Sequence, residues 1–271
     1  MSLKLIDHHT HTQASPDADP NLSMEDYIHK AKAQGYPGVM FTDHVDYDFV
    51  SPLFLEIIDY NIYHQKIVEL RKTHNFDVRM GVEIGYQPHL NERIKTLVNN
   101  HPFDFVIAST HLCDGLDLYN GDFFIGKTQE EAYQRYFEIV LYAVNNFTDY
   151  DVYGHLDYII RYGKFERKMY DFNTFKPIIE DILKVIIKNG KGIELNTSGL
   201  RYQLGVTHPR LELLELYKNL GGTIITLGSD AHYLKDYQAD FELGISLLKK
   251  AGFTHVTEFK ERTPYFIEIS Q

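Results

Sequence analysis

A chain of 271 residues, 44% hydrophobic and 14% aromatic, can bury a sizeable core as one large barrel domain or as two small domains. Its formal net charge of −11 with histidine neutral excludes the basic surface that broad nucleic-acid binding needs. No window approaches the roughly 20 uninterrupted apolar residues of a membrane span, and the single cysteine, Cys113, rules out an internal disulfide framework. The sequence opens straight into a strand without the apolar region and cleavage site of a signal peptide, so a soluble cytoplasmic protein is expected.

Leu5-Ile6 leads into Asp7-His8-His9-Thr10-His11, a first strand with Asp7, His9 and His11 on one face and His8 on the other. Ser23 and the acids Glu25 and Asp26 mark a helix start, and Gly35 its stop. The strand Val39-Met40-Phe41 ends at Asp43-His44, and a helical region follows from about Leu53 to Thr73. Met80-Gly81-Val82 ends at Glu83, and Leu90 to Asn99 is a short helix. Phe105 to Ala108 ends at His111. From Thr128 to Asn146, a Thr128/Glu131 capping box precedes the apolar stripe Tyr136, Ile139, Val140 and Ala143. Val152-Tyr153 ends at His155, with Asp157 just beyond. Pro177 opens the core of the next helix, whose buried face is Ile178, Ile179, Ile182, Leu183 and Ile186, and Gly190 follows its end. Gly192 to Leu195 leads to Asn196-Thr197-Ser198, and Pro209 to Leu220 is helical. Ile224 to Leu227 leads to Asp230-Ala231-His232, and Phe241 to Ala251 completes the series.

This alternation specifies an α/β fold with parallel strands, and no linker, low-complexity tract or repeat divides it. Seven strands fit a closed or nearly closed barrel better than two domains; an open doubly wound sheet is the alternative. Every strand ends in a residue able to bind a metal or a polar substrate, as expected when polar groups converge at the carboxyl ends of barrel strands. Two connections, Leu112 to Lys127 and Ile159 to Phe172, are long enough to be lids or specificity elements at that rim.

His9 and His11, Asp230-x-His232 on the last strand, and Glu83, His111 and His155 on three between them supply imidazole and carboxylate ligands for more than one ion. These ligand types suit zinc, iron or manganese. Bound cations would also reconcile an acidic chain with an anionic substrate. His8, His29, His64, His74, His89, His101, His208 and His255 read as solvated or structural. Cys113 reads as an inert loop cysteine sooner than as a thiol ligand. Arg161 and Arg201, on adjacent loops of the same rim, suit forked contacts with phosphate oxygens.

In order along the chain, Asp7-x-His9-x-His11-Thr12, Thr42-Asp43-His44, Gly81-Val82-Glu83, Ser109-Thr110-His111, Gly154-His155-Leu156-Asp157 and Gly228-Ser229-Asp230-Ala231-His232 resemble the polymerase and histidinol phosphatase (PHP) family. The segment Glu194 to Arg201 is similar to its monofunctional histidinol-phosphate phosphatases. The resemblance implies one domain over residues 1–271, a distorted seven-stranded (β/α)7 TIM-like barrel, and a trinuclear site of divalent transition-metal ions. By the same resemblance His9, His11, Glu83 and Asp230 hold the first ion, and Glu83 bridges to a second held by His111 and His155. His44 and His232 hold the third. The family's further ligand to that ion is a histidine within Cys-Pro-His-Gly; here the segment is Ser15-Pro16-Asp17-Ala18, so Asp17 stands in its place as ligand, proton donor or both.

The expected reaction is hydrolysis of a small phosphomonoester, L-histidinol phosphate on the strength of the resemblance. Paired ions supply a nucleophile at neutral pH, so no residue need become phosphorylated. Asp17, Glu83, Arg161 and Arg201 are the expected catalytic groups, and Arg161, Asn196, Ser198 and Arg201 the expected substrate contacts. Asp17, Asp43, Asp157 and Asn196 are candidate acceptors for the cationic end of histidinol, with Tyr158, Tyr162 and Tyr202 available to cover a ring. No nucleic-acid or membrane partner is expected, and the sequence specifies no oligomeric state. The rival readings are a PHP phosphoesterase or nuclease with another substrate, an amidohydrolase-type metal hydrolase, and a non-catalytic metal-binding module. None of the seven strand ends carries the lysine with which many amidohydrolases bridge their metals.

Overall fold

Each expected strand–helix step positions one piece of the site. The computed structural model describes residues 3–54 and 57–269. Met1 and Ser2, Leu55 and Glu56 within the expected second helix, and Ser270 and Gln271 lie outside the described residues. In chain order the elements are α1 Met24–Gln34, β1 Gly38–Phe41, β2 His44–Val45, α2 Tyr60–His74, β3 Asp77–Gly85, α3 Asn91–Asn100, β4 Phe105–Ser109, β5 Leu112–Cys113, β6 Leu116–Asp117, α4 Gln129–Asn146, β7 Val152–Tyr153, α5 Phe172–Lys188, β8 Gly192–Asn196, α6 Ser198–Arg201, α7 Leu211–Asn219, β9 Ile225–Gly228, α8 Phe241–Lys250, β10 His255–Lys260 and β11 Thr263–Glu268. β1, β3, β4, β7, β8 and β9 pair in that order, all parallel, with β2 also on β3. The result is a curled parallel sheet, an open half-barrel by its strand ladder.

The helix caps follow the expected chemistry. Ser23 with Asp26 and Thr128 with Glu131 each form a reciprocal capping box. Two helix starts differ from expectation. α2 begins at Tyr60, because Asp59 accepts from Asn61 N and Ile62 N, while Pro52–Phe54 make only a 3₁₀ turn. α5 begins at Phe172, capped by Asp171, so Pro177 lies inside it. Proline lacks the amide hydrogen used there, and the buried face Phe175, Ile179, Ile182, Leu183 and Ile186 carries the helix through. Ile178 is only partly buried.

The expected first strand is extended but joins no ladder beyond a single parallel bridge, Thr10 with Ala231. Three of its amides go to side chains: Ile6 N to Glu258, His9 N to Asp7 and Thr10 N to Thr42 Oγ1. It still lies between the two edge strands. His8 N donates to Leu227 O, Asp230 N to His9 O and Thr42 N to Thr10 O.

Alternation along the strands sorts the core into two faces. Val39, Phe41, Met80, Val82, Val106 and Ala108 belong to the large cluster under the helices. Ile6, Met40, Phe105, Ile107, Val152 and Phe259 form a smaller one within the curl. Glu83 shares the parity of Arg79 and Gly81 on β3, so it rises on the same inner face above that apolar layer. The antiparallel pair β10–β11, which the sequence reading passed over, covers the other end. Phe259 N donates to His8 Nε2, and Arg79 Nη1 to Phe259 O. His8 thus faces away from the ligand cluster. No helix among the described residues is long and apolar enough to cross a membrane.

Candidate metal centre

Glu83 is the hub. The carboxylate is buried, and imidazoles approach both of its oxygens. Oε2 lies 3.2 Å from His9 Nε2, 3.6 Å from His11 Nε2 and 3.0 Å from His44 Nδ1. Oε1 lies 3.3 Å from His111 Nε2 and 2.9 Å from His155 Nε2. Asp230 Oδ1 stands 3.7 Å from His9 Nε2 and 3.4 Å from His11 Nε2. Asp17 Oδ2 faces His232 Nε2 at 3.1 Å and His44 Nε2 at 3.6 Å.

These spacings test whether the residues fit metal ions. Bonds of about 2.0–2.2 Å from a tetrahedral zinc place ligand atoms about 3.3–3.6 Å apart. The 3.2–3.7 Å separations among His9, His11, Glu83 and Asp230 span that edge length. His9 Nε2, His11 Nε2 and Glu83 Oε2 are buried without a hydrogen-bond partner, although buried polar atoms are nearly always paired. His9–His11–Glu83, His44–Glu83–His111 and His11–His44–His232 each bring ligand atoms within 4.8 Å of one another. The arrangement fits a cluster of divalent cations bridged by Glu83.

Left to protons alone, the cluster polarises itself. Burial opposes charge on His111, but Asp46 and Glu83 push its pKa up to about 10. Against the same burial, His9 is carried well above the usual imidazole value by Glu194 and Glu83, and His44 by Asp17 and Glu83. Glu83 and Asp230 are held well below the carboxylate range, despite burial, chiefly by His9. His11, buried and beside His232 and His44, falls to about 3.

A second layer of residues orients the imidazoles, as is usual for metal-binding histidines. His111 Nδ1 meets Asp46 at 2.8 Å, His9 Nδ1 meets Glu194 at 2.7 Å and His11 Nδ1 meets Ser15 Oγ at 3.1 Å. Sequence reasoning missed all three. The available signal was parity: Glu194 lies on β8 with Gly192 and Asn196, and Asp46 two residues past His44.

Asp7, expected beside His9 and His11, turns away; it accepts from Ser229 N and Gln238 N, and burial pushes its pKa up to about 6. Asp43 and Asp157 are likewise not rim acceptors. Asp43 accepts from Thr12, Ser15 and Tyr63, and Asp157 from His208 Nδ1 and Arg210 N. Cys113 is buried in β5, and burial pushes its thiol up, as an inert cysteine should be.

Above the cluster opens a cavity of about 580 Å³, walled by His44, His111, His155, His232, Asp17, Asp230, Phe49, Phe54, Asp117, Tyr119, Tyr158, Arg161, Tyr162, Lys168, Tyr202 and others. Both long connections contribute to its wall, the first through Asp117 and Tyr119, the second through Tyr162 and Lys168. The Arg161 guanidinium lies 3.4 Å from the Tyr202 ring centroid and 3.7 Å from Asp230 Oδ2. Arg201 stands behind the wall, donating from Nη2 to Asp230 O. Asn196 and Ser198 are fully buried; Asn196 donates to Glu194 and accepts from Ser198 N.

A family model described as PHP domain matches residues 7–198. The chain belongs to the PHP domain family. A histidinol-phosphatase of Lactococcus lactis subsp. lactis is 32% identical over 265 residues, 95% of each chain. A probable histidinol-phosphatase of Clostridium acetobutylicum is 28% identical over 253 residues, 93% of this chain and 96% of that one. The crystal structure of the Lactococcus lactis histidinol phosphate phosphatase complexed with zinc, L-histidinol and phosphate superimposes with a TM-score of 0.89 at 32% identity, covering 97% of this chain and 100% of that chain. A putative histidinol phosphatase from Listeria monocytogenes shares the fold, with a TM-score of 0.73 at 19% identity, covering 88% of this chain and 99% of that one. The matched span of the family model ends before Asp230 and His232, which complete the cluster from the β9 end.

Two outcomes are expected. Glu83→Ala removes both oxygens at once, so elemental analysis should show metal lost from two positions together; full occupancy in that variant would overturn the bridging assignment. Imidazoles held protonated must also lose their protons to bind metal. Zinc uptake by the stripped protein near pH 7 should therefore release protons, read as a dependence of calorimetric heat on buffer ionisation enthalpy, and apparent affinity should rise as pH rises toward the pKa of His111.

Proposed function

We propose that this chain is a metal-dependent phosphomonoesterase that hydrolyses L-histidinol phosphate to L-histidinol and phosphate in histidine biosynthesis. The observation that carries the reading is the Glu83-bridged ligand cluster at the base of the cavity, in a chain 32% identical to a histidinol-phosphatase over 95% of both lengths. Three divalent ions, zinc, iron or manganese, are proposed: one with His9, His11, Glu83 and Asp230, one with Glu83, His111 and His155, one with Asp17, His44 and His232. The domain is proposed to span residues 1–271 as one unit, its barrel completed by the extended segment that includes His8 to His11. A cytoplasmic location is proposed too; a lone, reduced cysteine suits it.

Bound ions would supply the nucleophile and neutralise the phosphoryl oxygens. The protein's own groups do the rest. Arg161, its guanidinium stacked on Tyr202, meets the phosphoryl group at the cavity wall. Arg201 steadies Asp230 from behind and adds positive charge. Asp17, a third-ion ligand with a side chain 40% exposed, is held ionised, despite its partial burial, by His44 and His232 and passes a proton taken from a cavity water on to the leaving alkoxide. Asn196 and Ser198, both fully buried, act at one remove from substrate, Asn196 through its bond to Glu194.

The cationic end of histidinol needs acceptors beyond the phosphate site. With Asp43 and Asp157 committed elsewhere, Asp17 and Asp117 are the carboxylates left on the wall apart from Asp46, Glu83 and Asp230. Tyr158, Tyr162 and Tyr202 offer ring faces. The net charge of −11 disfavours a nucleic-acid substrate.

Phosphate release across a panel of phosphomonoesters should show strong preference for histidinol phosphate over glycerol phosphate and nucleotides, with little activity on phosphodiesters. Equal kcat/KM for histidinol phosphate and an uncharged alkyl phosphate would overturn the substrate assignment and leave the phosphatase standing. Arg161→Ala should lower kcat/KM by about two orders of magnitude at unchanged metal content, and Arg201→Ala should lower it as far by loosening Asp230. Near-normal kinetics in both would place the phosphate elsewhere.

A further inference from the structure

Glu194 is a buried carboxylate to which the proposed reaction gives no step. It rises on the inner face of β8, two residues before Asn196, and its two oxygens are divided between two different ligand groups. Oε1 lies 2.7 Å from His9 Nδ1. Oε2 accepts from the backbone amide of His155 at 2.9 Å and from Asn196 Nδ2 at 3.1 Å. His155 has a φ of 23°, in the left-handed region that a residue with a Cβ rarely occupies. Such a conformation persists only where surrounding contacts fix it.

Space has been cleared for this carboxylate. A Cβ on Gly228, on the neighbouring strand β9, would stand 2.2 Å from Glu194 Oε1 and 2.5 Å from the His9 Cβ. A side chain at 228 and the Glu194–His9 contact exclude one another.

We propose that Glu194 is a positioning residue that couples the first and second metal positions. Accepting a proton from His9 Nδ1 fixes that imidazole in the tautomer whose Nε2 lone pair points at Glu83 and Asp230. Accepting from the His155 amide holds the other ligand's backbone in its left-handed turn, with Nε2 at Glu83 Oε1. One side chain therefore registers ligands on both sides of the Glu83 bridge: His9 through its ring, His155 through its main chain. Glu194 touches neither substrate nor the reacting atoms.

The inference rests on the metal-dependent reading above, so wild-type protein is measured beside the variant. In Glu194→Gln the volume is kept, but one oxygen becomes an amide donor that cannot accept from both partners. Zinc affinity, measured by competition with a chromogenic chelator, should fall about ten- to a hundredfold, with the loss spread over two positions. The absorption spectrum of the cobalt-loaded variant should differ from wild type. In zinc-loaded wild-type protein, the ¹⁵N shifts of His9 should show a protonated Nδ1 and a metal-bound Nε2, which tests the inference with no variant at all. Wild-type affinity together with an unchanged cobalt spectrum in Glu194→Gln would overturn it, as would a His9 bound through Nδ1. Failure of wild-type protein to take up metal would sink the metal-dependent reading instead, and this inference with it.

Discussion

A carboxylate buried among five imidazoles governs this structure. Glu83 cannot sit there as a lone charge, because desolvating a carboxylate is costly unless cations or strong donors compensate. The inner face of the sheet is arranged to provide them. β1, β4, β7 and β9 each lead to a group that approaches Glu83 or Asp230, and β8 supplies Glu194 behind His9. The apolar layer of Ile6, Met40, Ile107 and Phe259 closes the face beneath. That layer keeps water from the lower side of the cluster, so the ligands are open only toward the cavity.

The cavity itself is a product of the loops. The sheet supplies ligands at strand ends, and the connections after β4 and β7 bring the aromatic and charged wall. Arg161 shows how these two sources meet. Its charge lies against Asp230 on one side and against tyrosine rings on the other. A cation packed this way is already desolvated and oriented before an anion arrives, which lowers the ordering cost of binding it.

The ligand set was legible because period-two strands put alternate residues on one face, and because imidazole and carboxylate ended run after run of apolar residues. Helix caps at Ser23 and Thr128 were legible for the same local reason. The N-terminal segment was not. His9 and His11 share one parity and face the cluster; Asp7 has the same parity but is turned aside, since Ser229 and Gln238 claim it. Those partners lie more than two hundred residues away, and no local pattern reports them. Asp43 and Asp157 failed for a similar reason: each follows a strand, but Asp43 is used up by an amide and hydroxyls, and Asp157 by the His208 imidazole and the Arg210 amide. Asp46 and Glu194 had only parity to mark them, and parity alone does not tell a carboxylate behind an imidazole from one at the surface. The hairpin β10–β11 was hidden by its mixed alternation, in which Thr257 and Glu258 are buried.

That hairpin has a consequence for the order in which the molecule can be assembled. Glu258 holds Ile6 N, and Phe259 N holds His8, in the stretch just ahead of His9 and His11. This segment is thus registered by residues made some 250 positions later. While the chain is still being made, His9 and His11 have neither β9 beside them nor the hairpin beneath them. The nascent protein can fold its middle strands and helices early, but the site that does the chemistry is a late event, completed only when the two distant stretches of sequence meet.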